Sequence, residues 1–277
     1  GYDEASVSMT NAWADTGTEH VTMSETVILD AVNTPSQAAL LADVRDHVRR
    51  GQGFSVATMN LDHVVKLRRD PSFRRAYAAQ THVTADGRPV VWLMRLAGRP
   101  VNLVTGSDLV APLIALCAQD GIRVAMLGAT ETALSRAADQ LRADHPGLQI
   151  TDLLSPPMGF DPEGAAADEL IARLSRSQAQ ICLLALGAPK QEKFAARALG
   201  SLPGMGFVSV GAGIDFVAGT QTRAPGLVRV LALEWLWRLL GDPKRLLSRY
   251  ARCVAILPAL VGTAVSMRRN RALQDPG

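Results

Sequence analysis

Between Val27 and Val210 the chain alternates short apolar runs with longer segments whose apolar positions recur every three to four residues. The runs Val27–Val32, Phe54–Met59, Arg123–Leu127, Gln180–Leu186 and Phe207–Val210 predict buried strands. The segments Ser36–Arg50, Leu61–Asp70, Ser107–Gln119, Glu131–Ala143, Pro162–Ser175 and Lys190–Ala198 predict amphipathic helices. A further helix is expected over Pro89–Leu96, after a short apolar stretch that runs into Thr84-Ala85. Strands that are apolar throughout, alternating with helices, indicate an α/β fold: a mostly parallel, Rossmann-like sheet with helices on both faces. No repeat and no Gly/Ser linker divides residues 26–219, which therefore read as one core.

The two ends break this pattern in opposite ways. Residues 1–25 carry Asp3, Glu4, Asp15, Glu19 and Glu25 without a continuous apolar run, so they read as a disordered acidic tail and not a signal peptide. At the other end, Cys253–Met267 is a 15-residue uncharged stretch with Arg249 and Arg252 before it and Arg268, Arg269 and Arg271 after it. It is short for a spanning helix, which needs about 20 apolar residues, and Pro258 and Gly262 are expected to interrupt it. A segment lying in the membrane interface, with arginines on lipid phosphates, is the leading expectation; a helix docked on the core is the other. Residues 220–252 form a basic segment between core and tail.

Charge sharpens that division. The formal net charge is +3, but from Thr220 onward ten Arg/Lys stand against three Asp/Glu, which is +7 and leaves −4 on residues 1–219. With 48% hydrophobic and 20% charged residues the chain is neither disordered nor fibrous. Cys117, Cys182 and Cys253 lie far apart and form no CxxC pair, so they read as core or tail thiols, not a disulfide framework or a zinc site.

In a parallel sheet, ligands sit at the carboxyl ends of the strands. Thr58 and Asn60 close the strand Phe54–Met59. Gly128-Ala129-Thr130 follows the strand Arg123–Leu127, Gly187-Ala188-Pro189-Lys190-Gln191-Glu192 follows Gln180–Leu186, and Gly211-Ala212-Gly213-Ile214-Asp215-Phe216 follows Phe207–Val210. Three glycine turns feeding helix starts along one edge suit phosphate oxygens. Asp86, in Thr84-Ala85-Asp86-Gly87, reads either as a helix cap or as an acid–base group. The chain has no GxxxxGK[ST], GxSxG, HExxH or Asp-x-Asp, and Gly211-x-Gly213 lacks the third glycine of a dinucleotide fingerprint. Its five histidines, His20, His47, His63, His82 and His145, never stand at metal-ligand spacing. No metal site and no nucleic-acid motif is expected.

Taken in order, Thr58-x-Asn60, Ala85-Asp86-Gly87-x-Pro89-Val90-Val91-Trp92, Gly106-Ser107-Asp108-Leu109 and Gly187-x-Pro189-Lys190-Gln191-Glu192 resemble the WecG/TagA/CpsF glycosyltransferases. So do the Gly211–Phe216 turn with Gly219, then Arg223-Ala224-Pro225, Glu234-Trp235-Leu236-x-Arg238-Leu239, Pro243-x-Arg245 and Arg249-Tyr250. The resemblance covers about residues 27–252. It implies an inverting transferase that passes a hexose-type sugar from a UDP-sugar to a polyprenyl-diphosphate-linked saccharide, in surface-polysaccharide synthesis; with no Asp-x-Asp in the chain, no metal and no cofactor are expected. It implies Asp86 as the general base, with Thr58, Asn60 and Gln191 in the same pocket. Gly87, Asp108, Gly128, Gly187, Pro189, Lys190, Gly211, Asp215, Arg223, Arg238 and Arg245 are the expected substrate contacts. It also implies a helical appendage over residues 220–252 that covers the site, and a peripheral enzyme on the cytoplasmic face of the membrane against anionic lipids, with a homo-oligomer left open. Many relatives carry an arginine where this chain has Leu103; Arg88, Arg99 and Lys190 are the candidate replacements. The competing readings are a nucleotide-cofactor oxidoreductase on the same sheet and a non-catalytic, membrane-tethered assembly protein.

Overall fold

Six strands form one sheet in which every neighbour is parallel: β1 (Phe54–Met59), β2 (His82–Ala85), β3 (Arg123–Gly128), β4 (Gln149–Leu154), β5 (Ile181–Ala185) and β6 (Gly206–Ser209), in the order β2-β1-β6-β5-β3-β4. The computed structural model describes residues 25–221 and 243–274. Its helices are α1 (Glu25–Asp30), α2 (Gln37–Arg49), α3 (Leu61–Leu67), α4 (Pro71–Ala78), α5 (Arg88–Leu96), α6 (Gly106–Asp120), α7 (Glu131–Asp144), α8 (Ala165–Ser177), α9 (Lys190–Ser201), α10 (Gly213–Val217) and α11 (Pro243–Gln274).

Side chains that alternate across each strand divide the core in two. Val124, Met126, Ile181, Leu183 and Val208 pack on one face with Leu40 of α2, Leu109 of α6 and Leu134 of α7. Ala125, Leu127, Cys182, Leu184 and Phe207 pack on the other with Leu174 of α8 and Phe194 of α9. Ala57, Met59, Val83 and Ala85 join Val64 of α3, Phe73 of α4, Val90 of α5 and Leu260 of α11 in a third cluster. The expected doubly covered α/β sheet is therefore the fold. All three cysteines are free and buried.

Three expectations need correction. Val27–Val32 is not a strand: α1 covers most of it, and Ile28 and Leu29 are buried in the cluster that contains Leu260. An apolar run this short does not distinguish strand from buried helix. The helix expected over Leu61–Asp70 ends at Leu67, because Asp70 turns to cap α4, accepting from the backbone N–H of Ser72 and Phe73 with Pro71 at the first turn. Nor do Pro258 and Gly262 interrupt the C-terminal stretch. α11 runs through both, and Pro258 and Gly262 lie among its exposed residues. Its inward residues Leu246, Cys253, Leu260, Ala264 and Met267 are buried, while Leu247, Val254, Val261 and Val265 remain exposed.

β2 is an edge strand, and it is closed by the chain that follows α1. Val83 N–H donates to Asn33 Oδ1, and Val83 O accepts from the backbone N–H of Asn33 and Thr34.

Candidate active site

β1 and β2 pair in register, Thr58 beside Thr84 and Met59 beside Ala85, so the residues that follow them emerge side by side. Asn60 and Asp86 are the first residues past these strand ends. Asp86 N–H donates to Met59 O at 2.7 Å, which fixes its backbone independently of its side chain. Gly87 follows at φ +100, a conformation that L side chains rarely adopt, and turns the chain into α5. Asp86 is half-buried and Thr58 is buried. Asn60 caps α3, its Oδ1 accepting from His63 N–H at 3.1 Å, so its carboxamide NH2 is the part left to face a ligand.

β5 delivers the second group. After Ala185 the chain passes Gly187 and a cis Ala188–Pro189 bond and enters α9, which packs against α4 and β1. Lys190 is half-buried at the head of α9, and the next two side chains, Gln191 and Glu192, are buried. Gln191 Nε2 donates to Glu192 Oε1 at 2.9 Å. Burial pushes the Glu192 carboxyl up to about 7, against the opposing pull of the Gln191 hydrogen bond and the Lys66 charge. Tyr77 links the two halves of the site: burial and the negative charges of Glu192 and Asp86 all hold its hydroxyl protonated. That hydroxyl lies 2.7 Å from Nδ1 of His63, which burial drives down to about 3 and keeps neutral. Thr58, Asn60 and Asp86 thus stand at the carboxyl ends of β1 and β2, and α9, which carries Gln191, packs against β1.

The remaining expected contacts divide by distance along that edge. Gly211 and Asp215 follow β6, next to β1; the Asp215 carboxylate accepts from Thr220 Oγ1 and Gln221 Nε2 and organises its own turn. Asp108 is exposed in the first turn of α6: Thr105 Oγ1 caps the helix by accepting from Asp108 N–H and donates to Asp108 Oδ2. Gly128 ends β3, four strands from β2, roughly 19 Å across the sheet at the usual spacing. Its φ is +109, and a Cβ there would run into the backbone of Ala185 on β5. Gly128→Ala should therefore cost about 2 kcal/mol or more, read as a lower denaturation midpoint at an unchanged m value. Arg223 and Arg238 lie outside the described residues, as do Trp235 and Trp237. Arg245 falls on the first turn of α11.

Leu103, the position at which the resemblance implies an arginine, is exposed and bridges to Ala85, immediately before Asp86. Of the three candidate replacements, Arg99 is engaged elsewhere: its guanidinium donates to Asp30 Oδ1, Leu29 O and Val32 O, pinning α1. Arg88 and Lys190 border the site on its two sides.

Sequence reasoning passed over the links behind these residues. Lys66 Nζ donates to Ala188 O at 3.0 Å and pairs with Asp62 at 2.8 Å; Asp62 in turn lies 3.0 Å from Arg249 Nε of α11. Burial would raise the Asp62 carboxyl, but the Lys66 hydrogen bond and the two cations hold it below its ordinary range. The Asp62/Lys66 spacing of i,i+4 was the visible signal; the partners on α11 and after β5 carried none. Among the described residues, no group of three or more His, Cys, Asp or Glu could hold a metal ion.

Comparison with known proteins adds to this geometry. Residues 27–272 match the glycosyl transferase WecG/TagA/CpsF family. The chain is also similar to an N-acetylglucosaminyldiphosphoundecaprenol N-acetyl-beta-D-mannosaminyltransferase of Bacillus spizizenii, with 27% identity over 233 residues, covering 83% of this chain and 85% of that one.

Proposed function

The chain belongs to the WecG/TagA/CpsF glycosyltransferase family, and from that premise we propose that it transfers a hexose-type sugar from a UDP-sugar to a polyprenyl-diphosphate-linked saccharide, with inversion. The supporting observation is the half-buried carboxylate of Asp86 at a strand end, flanked by Thr58, Asn60 and the α9 start. In that reaction the acceptor hydroxyl attacks the anomeric carbon, its proton passes to Asp86, and the bond to the UDP oxygen breaks. Asn60 NH2 and the backbone N–H groups at the helix starts are donors for the oxygens of the leaving diphosphate. Lys190 and Arg88 are the cations nearest that edge in sequence. The Bacillus relative's name supplies the acceptor class: a lipid diphosphate bearing N-acetylglucosamine.

A lipid-linked acceptor calls for a membrane-facing surface, and α11 is the candidate. Its inner face is held by the core, whereas Val254, Val261 and Val265 face outward between Arg252 and the arginines at 268, 269 and 271, with Leu247 exposed before them. Leu246–Leu273 is long and apolar enough to cross a membrane by length and composition. However, the 15-residue uncharged part spans only about 22 Å of helix axis, short of a hydrocarbon core of about 30 Å. The reading is a peripheral enzyme with α11 lying in the interface of the cytoplasmic leaflet.

Radiolabelled UDP-glucose, UDP-N-acetylmannosamine and UDP-N-acetylmannosaminuronic acid, each incubated with native lipid extract, test the reaction. Label entering the lipid fraction from one donor is the expected result; protection from thermal unfolding by NAD(P) and not by UDP would turn the reading to an oxidoreductase. Transfer should persist in EDTA, because the leaving diphosphate is met by donors and cations. Complete loss, restored by magnesium or manganese, would contradict that.

A further inference from the structure

Glu192 is the only buried acidic side chain among the described residues, with 0% exposure. Its neighbour Gln191 is 3% exposed. The one hydrogen bond between them, Gln191 Nε2 to Glu192 Oε1, leaves Gln191 Oε1 and Glu192 Oε2 buried without a partner among the described residues. Leaving such atoms unpaired costs free energy, so a buried pair with two unused acceptor oxygens is poorly explained by packing alone. Its surroundings adjoin the candidate site. Lys66 of α3 acts on the Glu192 carboxyl, Glu192 and Asp86 both act on Tyr77 of α4, Tyr77 is bonded to His63, and Gln80 Nε2 donates to Glu192 O.

We propose that Glu192 is the positioning residue for Gln191: its carboxylate holds the carboxamide by Nε2 and so presents Oε1 to the substrate, as an acceptor for a sugar hydroxyl or amide N–H and not as a donor to phosphate. The inference rests on the transferase reading above. An ionised carboxylate accepts only, so the amide facing it must turn its nitrogen toward Glu192 and its oxygen away from it. Asn60 has the opposite polarity, its oxygen taken by His63 N–H and its NH2 available. One amide is then left to meet oxygens and the other to meet hydroxyls, which orients a sugar diphosphate along the edge of the sheet.

The orientation holds only while Glu192 is ionised. Once protonated, its O–H competes for Gln191 Oε1 and the amide is no longer held in one sense. Burial places that protonation at about 7, and the Lys66 charge opposes it. Lowering the pH through neutrality therefore removes the presentation of Oε1.

The test compares kcat/KM against pH for the full chain and for Glu192→Gln, together with melting temperature and the side-chain amide resonances of Gln191 in 15N-labelled protein. Wild type should lose about 10-fold between about pH 8 and about pH 6 as the ionised fraction falls. Glu192→Gln should be lower by about 10-fold at the upper pH and nearly flat below it, with an unchanged melting temperature. The Gln191 amide resonances should titrate near neutrality in wild type and stay fixed in Glu192→Gln. If that variant does not fold, Glu192→Asp should keep a titrating amide and the pH-dependent loss. Wild-type kinetics and pH dependence in Glu192→Gln, a loss that only parallels a fall in melting temperature, or amide resonances that do not move in wild type would each overturn the proposal. If no UDP-sugar is turned over by wild type, the transferase reading fails, and the amide titration still decides whether Glu192 governs Gln191.

Discussion

Asp86→Asn should retain the fold and the binding of UDP while losing turnover by about 100-fold or more, the usual contribution of a general base. The backbone hydrogen bond from Asp86 N–H to Met59 O and the turn at Gly87 do not involve the carboxylate, so the isostere disturbs neither. What it removes is the proton acceptor. The amide oxygen still takes a hydrogen bond from the acceptor hydroxyl but is far too weak a base to keep the proton. The loss should therefore appear in kcat, with KM for the donor nearly unchanged. Turnover within a few-fold of wild type, in protein of normal melting temperature, would remove Asp86 from the role of base.

Truncation before Tyr250 should produce two separable losses. The deleted segment carries Leu260, Ala264 and Met267 out of the core cluster that includes Ile28, Val90 and Met94. Burial of Leu260 and of Met267 contributes roughly 2 kcal/mol each, so the melting temperature should fall by several degrees or more. The segment also carries the outward row Val254, Val261 and Val265 and four arginines, Arg252, Arg268, Arg269 and Arg271. Anionic liposomes should pull down the full chain and largely fail to retain the truncated one. Salt should weaken the full chain's binding only in part, since it screens the arginine–phosphate attraction, about 1 kcal/mol for each basic residue near the surface, but not apolar burial. Replacing Val254, Val261 and Val265 together by Ser separates the two roles: liposome binding should fall while the melting temperature holds. Liposome binding that survives truncation would shift the anchor to residues before Tyr250.

The parallel sheet was legible because β1, β5 and β6 are buried on both faces and so read as mostly apolar runs. β4 was not. Its residues are mostly half-buried at the sheet edge, and Gln149-Ile150-Thr151-Asp152 carries no apolar run. β2 is short, and His82 and Thr84 are polar although buried, so only the stretch before Asp86 was visible. The site residues at strand ends could be read from position alone, since chain order places Asn60, Asp86 and Gly187 directly after apolar runs. The network that joins them could not: Tyr77, Lys66 and Glu192 meet only because α3, α4 and α9 pack together, and no local pattern records that. In the C-terminal stretch Pro258 was over-weighted; a proline on the exposed side of a helix that is anchored elsewhere by buried residues need not end it.

The clip of Asn33 and Thr34 on Val83 has a consequence for self-association. An edge strand offers unpaired N–H and C=O groups to any extended chain that reaches it. β2 is such a strand, it carries Asp86 at its end, and the N–H and C=O of its Val83 are both occupied by residues 33 and 34. A chain that began beyond residue 34 would keep every side chain of the candidate site, yet it would bare the strand's amide and carbonyl to neighbouring molecules. That chain would also lose Ile28, Leu29 and Val32 from the core, so strand-to-strand association through the edge that bears Asp86 would accompany a loss of stability.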